Sequence, residues 1–370
     1  MTNAAVYFDT ASAEPLHPAA RETLLAALEH GYADPRRLHG PGRNARLLLD
    51  NAREAVAGAL GVRRDEVTFA SSGTRAVQRG LLGLAAARAE RGRRIAHGAV
   101  EHQAVTDAAA WWGEPLEVGV DAYGRIDLEA VRSLPSPTAV LALQSANHEV
   151  GTLQPVAEAA ELTGGVPLFV DACASMGRLP LPDGWDALAG SAHKWGGPSG
   201  VGVLLVRHRA RWLDPFPAGD PFARTDEAVD IAAALAAAAA LQAVAAEGTE
   251  VGARQRALID LIRARVAGIP DVDVVGDPVD RLPHLVTFSF LYVDGEALVT
   301  ELDRLGFSVA SGSACAVDTR EPSRVLAAMG ALTHGNIRLS LGREATRAEV
   351  ERFLDVLPGV VRTIRDRAGL

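Results

Sequence analysis

Between about residues 60 and 210, short apolar, β-branched runs alternate with Ala- and Leu-rich stretches at helical spacing. Five runs predict strands: E-V-T-F-A (66–70), T-A-V-L-A-L (138–143), V-P-L-F-V-D (166–171), D-A-L-A-G-S (186–191) and V-G-V-L-L-V (201–206). They are apolar at successive positions, as strands buried on both faces are, and helical segments join them. That combination predicts a largely parallel sheet in an α/β domain. Two helices are expected next, over roughly 228–246 and 249–267. The pattern then changes. H-L-V-T-F-S-F (284–290), G-E-A-L-V-T-E-L-D-R-L (295–305) and F-S-V-A (307–310) predict a smaller α+β unit that ends in an amphipathic helix near 345–366. The expected division is a large α/β domain over 15–255 and a small α+β domain built from 1–14 and 256–370. A ligand cleft is expected between the two.

Composition narrows the function. The chain has 370 residues, 48% apolar and 22% charged, with a formal net charge of −9. A nucleic-acid partner held by a basic face is therefore not expected. The start, M-T-N-A-A-V-Y-F-D-T, lacks a basic region followed by an apolar core, so no signal peptide is expected. The two cysteines, Cys173 and Cys315, supply neither a disulfide framework nor a metal knuckle. A cytoplasmic location is the expectation, with no metal and no membrane. The alanine-rich run I-A-A-A-L-A-A-A-A-A-L (231–241) is too short to span a bilayer and predicts a helix packed closely on its neighbours.

Three segments carry candidate chemistry. In A-S-S-G-T-R-A-V-Q (70–78) a strand ends, Gly73 permits a tight turn and Thr74 opens a helix. Unpaired N–H groups and the positive end of the dipole make such a start suited to phosphate, although a plain N-cap has the same sequence. V-D-A-C-A-S (170–175) closes a strand with Asp171, a carboxylate after apolar positions that needs a partner to stay charged. S-A-H-K-W-G-G-P-S-G-V-G-V (191–203) puts Ser191, His193 and Lys194 at another strand end. An amine there can act as a nucleophile if its surroundings lower its pKa. Each feature alone has a bland structural reading. Together they meet one requirement: pyridoxal 5'-phosphate (PLP) needs a phosphate cradle, a carboxylate facing its pyridine nitrogen and a lysine to hold it. All three fall at strand ends, where open α/β sheets bind ligands.

Cys315 lies in S-G-S-A-C (311–315), among small residues and ahead of a polar stretch. With E-P-S-R-V-L-A-A-M-G after it, A-N-H-E-V-G-T-L-Q-P (146–155), V-E-H-Q-A-V (100–105) and G-N-I-R-L-S-L-G-R (335–343), the chain resembles the cysteine desulfurases of aminotransferase class V. The resemblance runs nearly end to end, from Y-F-D-T-A-S-A-E-P-L onward. It implies the PLP-dependent transferase fold type I and a homodimer. It also implies that Lys194 binds PLP covalently, that Asp171 pairs with the pyridine nitrogen, and that Gly73, Thr74, Ser191 and His193 hold the phosphate. His102 would stack on the ring and move protons, and Arg338 would take the substrate carboxylate, with His148 beside it. Cys315 would be the sulfur acceptor. The implied reaction is L-cysteine to L-alanine. L-cysteine replaces Lys194 on the cofactor, the freed amine takes the Cα proton, and the Cys315 thiolate attacks the substrate sulfur. The persulfide left on the enzyme would go to an acceptor protein. Cys173 is expected to be a packed bystander.

The chain departs from the family pattern in several places. His148 stands where Asn is usual, Ala174 where Gln is usual, and Arg75-Ala76-Val77 where an acidic residue, Ala and Asn are usual. F-A-R-T (222–225) replaces R-S-G-T, leaving Thr225 to reach the partner subunit's phosphate. Two other readings therefore stay open: a PLP-dependent C–S or C–Se lyase acting on another cysteine derivative, and a non-catalytic scaffold.

Overall fold

The computed structural model describes residues 5–216, 229–311, 322–367 and 369. The chain enters through β1 (Val6–Tyr7), α1 (Pro18–Leu28) and α2 (Gly40–Leu60). It continues through β2 (Val67–Ala70), α3 (Gly73–Ala86), β3 (Arg94–Gly98), α4 (Gln103–Trp112), β4 (Glu114–Val118), α5 (Leu128–Arg132), β5 (Val140–Gln144) and α6 (Val156–Leu162). β6 (Leu168–Asp171), β7 (Ala187–Ser191) and β8 (Gly202–Val206) follow. Strands β2 to β8 form one seven-stranded sheet in the order β2-β8-β7-β6-β5-β3-β4. Its pairs are parallel from β7 to β4, and β8 runs against both β7 and β2. All five expected strands are present, within two residues of their expected starts. β3 and β4 were not expected. Arg94 opens β3, and only Val118 of the edge strand β4 is buried, so neither carries the continuous apolar signal of a central strand.

The helix after this sheet differs from expectation. Residues 231–266 form one continuous helix, α7 (Ile231–Val266), and not two. The segment Glu247-Gly248-Thr249 contains no proline, and a helical glycine costs only about 1 kcal/mol. Both flanks outweigh that penalty by packing. The alanine-rich end lies buried against α1 and α2 in the large core, while Leu258, Ile259, Ile262 and Val266 enter the core of the smaller unit. On length and composition α7 could cross a membrane, yet half of its most apolar stretch is buried inside the protein.

The smaller unit holds β9 (Val272–Val275), β10 (Leu285–Phe290) and β12 (Asn336–Ser340) as an antiparallel sheet in the order β12-β10-β9. Between them come α8 (Gly295–Arg304), β11 (Phe307–Ser308) and α9 (Arg324–Ala328), and α10 (Arg347–Arg367) closes the chain. β1 pairs in parallel with β11, and Asp9 bridges Ser340. The N-terminal segment is thus stitched to this unit before it passes toward the large sheet.

Candidate active site

The C-terminal ends of β2, β6 and β7 form the floor of a cavity of about 330 Å³. Thr74, Asp171, Ser191, His193 and Lys194 all line it. Ser72 caps α3: its backbone is extended (φ −169°, ψ 166°) and its hydroxyl accepts the Arg75 N–H at 3.0 Å. Gly73 is needed for a different reason from the one the sequence suggested. Its φ is not positive; instead, a Cβ there would stand 2.5 Å from Ser191 Cβ and 2.6 Å from Ser191 Oγ. The helix start is pressed against the end of β7, which brings Ser72, Thr74 and Ser191 to one spot. Ser191 Oγ also bonds His193 Nδ1 at 3.1 Å. Lys194 closes the short turn Ala192–Lys194 that follows β7.

Asp171 is buried, and one of its oxygens accepts the Cys173 N–H at 2.9 Å. Beneath it lies Glu101, also buried. Glu101 Oε1 accepts the Gln144 N–H at 2.8 Å, and Oε2 has no partner among the described residues. Burial pushes the Glu101 carboxyl well above the usual carboxylate range, Asp171 pushes it further, and the Gln144 N–H offsets only part. Burial also pushes the Cys173 thiol well up, with Asp171 adding to it. Cys173 is therefore a neutral, packed thiol, although it reaches the cavity lining.

The opposite wall comes from other parts of the chain. Arg338, on β12, bonds Asp9 at 2.9 Å, Ser12 at 2.5 Å and the His148 carbonyl at 3.1 Å. Its Nε is buried and has no partner among the described residues. His148 is 12% exposed and lies edge-on to His102, ring centroids 5.1 Å apart at 70°. Burial drives the His148 imidazole well below its ordinary pKa, and His102, Lys194 and Arg338 drive it further. Burial lowers His102 and His193 as well. Glu149, next to His148, accepts the Ser323 hydroxyl at 2.6 Å, and that hydroxyl also caps α9.

The structure thus gathers Gly73, Thr74, His102, His148, Asp171, Ser191, His193, Lys194 and Arg338 around one cavity. Cys315 and Thr225 lie outside the described residues. Sequence reading missed Ser72, Asp9, Ser12, Glu101 and Glu149. Ser72 was findable, because a serine directly before Gly-Thr at a helix start is an N-cap signal. The others carry none, because their partners are remote in sequence.

The donor set fits PLP. Hydroxyls and an imidazole line the cavity at a helix start, as a phosphate needs, and a carboxylate and an amine line the same cavity, as a ring nitrogen and an aldehyde need. Gly73 and Ser191 both line the cavity, and their packing leaves no space for a side chain at position 73.

Comparisons with known proteins give the chain's family and fold. The family model described as aminotransferase class-V matches residues 6–353. "Cysteine desulfurase IscS 1" of Archaeoglobus fulgidus is 33% identical over 378 residues, 98% of this chain and 99% of that protein. "IscS-like cysteine desulfurase" of Mycobacterium tuberculosis is 37% identical over 388 residues, 98% of both. A solved structure titled "NIFS-LIKE PROTEIN" superposes with a TM-score of 0.88 at 26% identity, covering 97% of this chain and 100% of that one.

Proposed function

The chain belongs to the aminotransferase class-V family, among its cysteine desulfurases, and from that premise we propose that it converts L-cysteine to L-alanine with PLP and passes the sulfur through Cys315 to an acceptor protein. One observation carries the reading. Lys194, Asp171 and Arg338 face a single cavity, so an amine, a carboxylate and a guanidinium meet where a cofactor-bound amino acid needs all three. When bound, PLP supplies an electron sink conjugated with the substrate nitrogen, which weakens the Cα–H and C–S bonds.

The protein's own groups do the rest. Ser72, Thr74, Ser191 and His193 hold the phosphate at the start of α3. Asp171, on the cavity lining, would face the ring nitrogen. Lys194 would hold the cofactor, and its Nζ, when free, would take the Cα proton. Arg338 would receive the substrate carboxylate through a guanidinium that Asp9 and Ser12 already orient. The Cys315 thiolate, from a segment outside the described residues, takes the sulfur.

A homodimer is part of this reading. Leu25, Leu28, Tyr32, Leu38 and Leu47 are exposed along α1, α2 and their connection, an apolar strip suited to a second copy. Thr225 is proposed to serve that copy's phosphate. A cytoplasmic location is proposed with it, since a transferable sulfur on Cys315 needs a reducing compartment. The test supplies L-cysteine and a thiol reductant and measures alanine and sulfide together. Wild type is expected to form both, and Cys315→Ser is expected to lose both. Equal alanine from the serine variant would reject sulfur transfer through Cys315.

A further inference from the structure

His102 caps α4 with its own ring. Its backbone is extended (φ −65°, ψ 148°), and its Nδ1 accepts the Ala104 N–H at 3.1 Å. A backbone N–H can only donate, so Nδ1 must hold a lone pair there. A neutral imidazole carries one proton, which therefore sits on Nε2. Protonating the ring would put a second hydrogen on Nδ1, against the Ala104 N–H and the positive end of the ten-residue helix α4. Burial adds to the cost of that charge.

We propose that His102 is locked as the neutral Nε2–H tautomer and serves the cavity only as a hydrogen-bond donor, never as a base. Its lone pair is committed to the helix, and the nitrogen facing outward already carries the proton. Proton acceptance in the site is thereby left to the Lys194 amine. The charged and titratable groups around His102 are Asp171 and Lys194 on the cavity floor, His148 on the wall and Asp107 one turn along α4. Only the two aspartates favour a charged ring, and neither supplies a new acceptor for Ala104. This catalytic consequence rests on the desulfurase reading; the tautomer itself does not.

The chain uses the same device twice more, outside this site. His17 Nδ1 accepts the Ala19 N–H at 3.1 Å at the start of α1, and His39 Nδ1 accepts the Gly42 N–H at 3.1 Å at the start of α2.

The experiment is ¹⁵N-histidine NMR of the PLP-loaded protein between pH 5.5 and 8, with His102 assigned by its absence in His102→Asn. The expected result is an unprotonated Nδ1 and a protonated Nε2 at His102, unchanged across the range. A protonated Nδ1, or a ring that gains charge within the range, would overturn the proposal whatever reaction the enzyme performs. Kinetics supply the second readout. In His102→Asn, Oδ1 can cap the helix and Nδ2–H can donate, so kcat/KM is expected to fall about tenfold, against about 100-fold in His102→Phe. Both variants should keep the acid limb of the wild-type pH profile. Disappearance of that limb in either would show that His102 is the base.

Discussion

The floor and the wall of the cavity are built by different means. Gly73, Thr74, Asp171, Ser191, His193 and Lys194 sit at or just past the ends of β2, β6 and β7, and the backbone ladder of one sheet sets their spacing. The wall draws Asp9, Ser12, His148 and Arg338 from three separate segments and ties them with one ion pair and a few hydrogen bonds. A side chain lost from the floor removes one function and leaves the ladder intact. A side chain lost from the wall also frees its neighbours, because the side chains hold one another.

The largest expected break is in the floor's chemistry. Lys194→Ala should lower alanine formation about 10⁴-fold or more while melting close to wild type. Borohydride should no longer fix PLP to the protein; retained fixation would place the attachment elsewhere. In the wall, Arg338→Ala leaves the part-exposed Asp9 with the Ser12 hydroxyl and removes the carboxylate site. It should cost about 1–3 kcal/mol of stability and raise KM for L-cysteine about 100-fold, read by thermal melts and steady-state kinetics. A change in kcat alone would place the substrate carboxylate away from Arg338. Gly73→Ala tests the floor's steric fit. Pressing a methyl onto Ser191 should cost about 1–3 kcal/mol and weaken PLP binding, measured by titrating cofactor into the stripped protein.

Smaller effects separate the two regions further. His284, behind the wall, is buried and held neutral well below its ordinary pKa, first by burial and then by Arg178 and Arg338. The unfolded chain binds the proton that the folded one refuses. Stability from this group is therefore complete above about pH 6.5 and is lost as pH falls below it, by up to about 1.4 kcal/mol per pH unit. His284→Leu should flatten the acid side of the stability–pH curve by that slope, and an unchanged curve would mean that the ring is not held neutral. Asp9→Asn is the mildest break. Arg338 keeps Ser12 and the His148 carbonyl, so KM should rise only about fivefold, roughly 1 kcal/mol, with kcat nearly unchanged.

The floor was legible in the sequence because each of its residues follows an apolar run that only a buried strand explains. Asp171 and Ser191 end their strands as that pattern implies. Gly73 was legible as a needed glycine, yet for the wrong cause: the close approach of Ser191 lies 118 positions away in the chain and has no local signature. The break expected within α7 failed for a similar reason. A polar Glu-Gly-Thr step looks like a boundary locally, while burial at both ends keeps the helix whole. Glu101 beneath Asp171 was invisible because its charge state depends on burial.

By itself the sequence determined five strands of the large sheet, the change to a smaller α+β unit, and the lysine and aspartate at strand ends. These follow from local periodicity and chain sterics, which travel with the residues. Tertiary structure alone decided that Arg338 would meet Asp9 across 329 positions and that His148 would lie edge-on to His102. It alone set the charge states of Glu101 and His284. Desolvation and ion pairing depend on what surrounds a group in space, and a linear pattern does not contain that information.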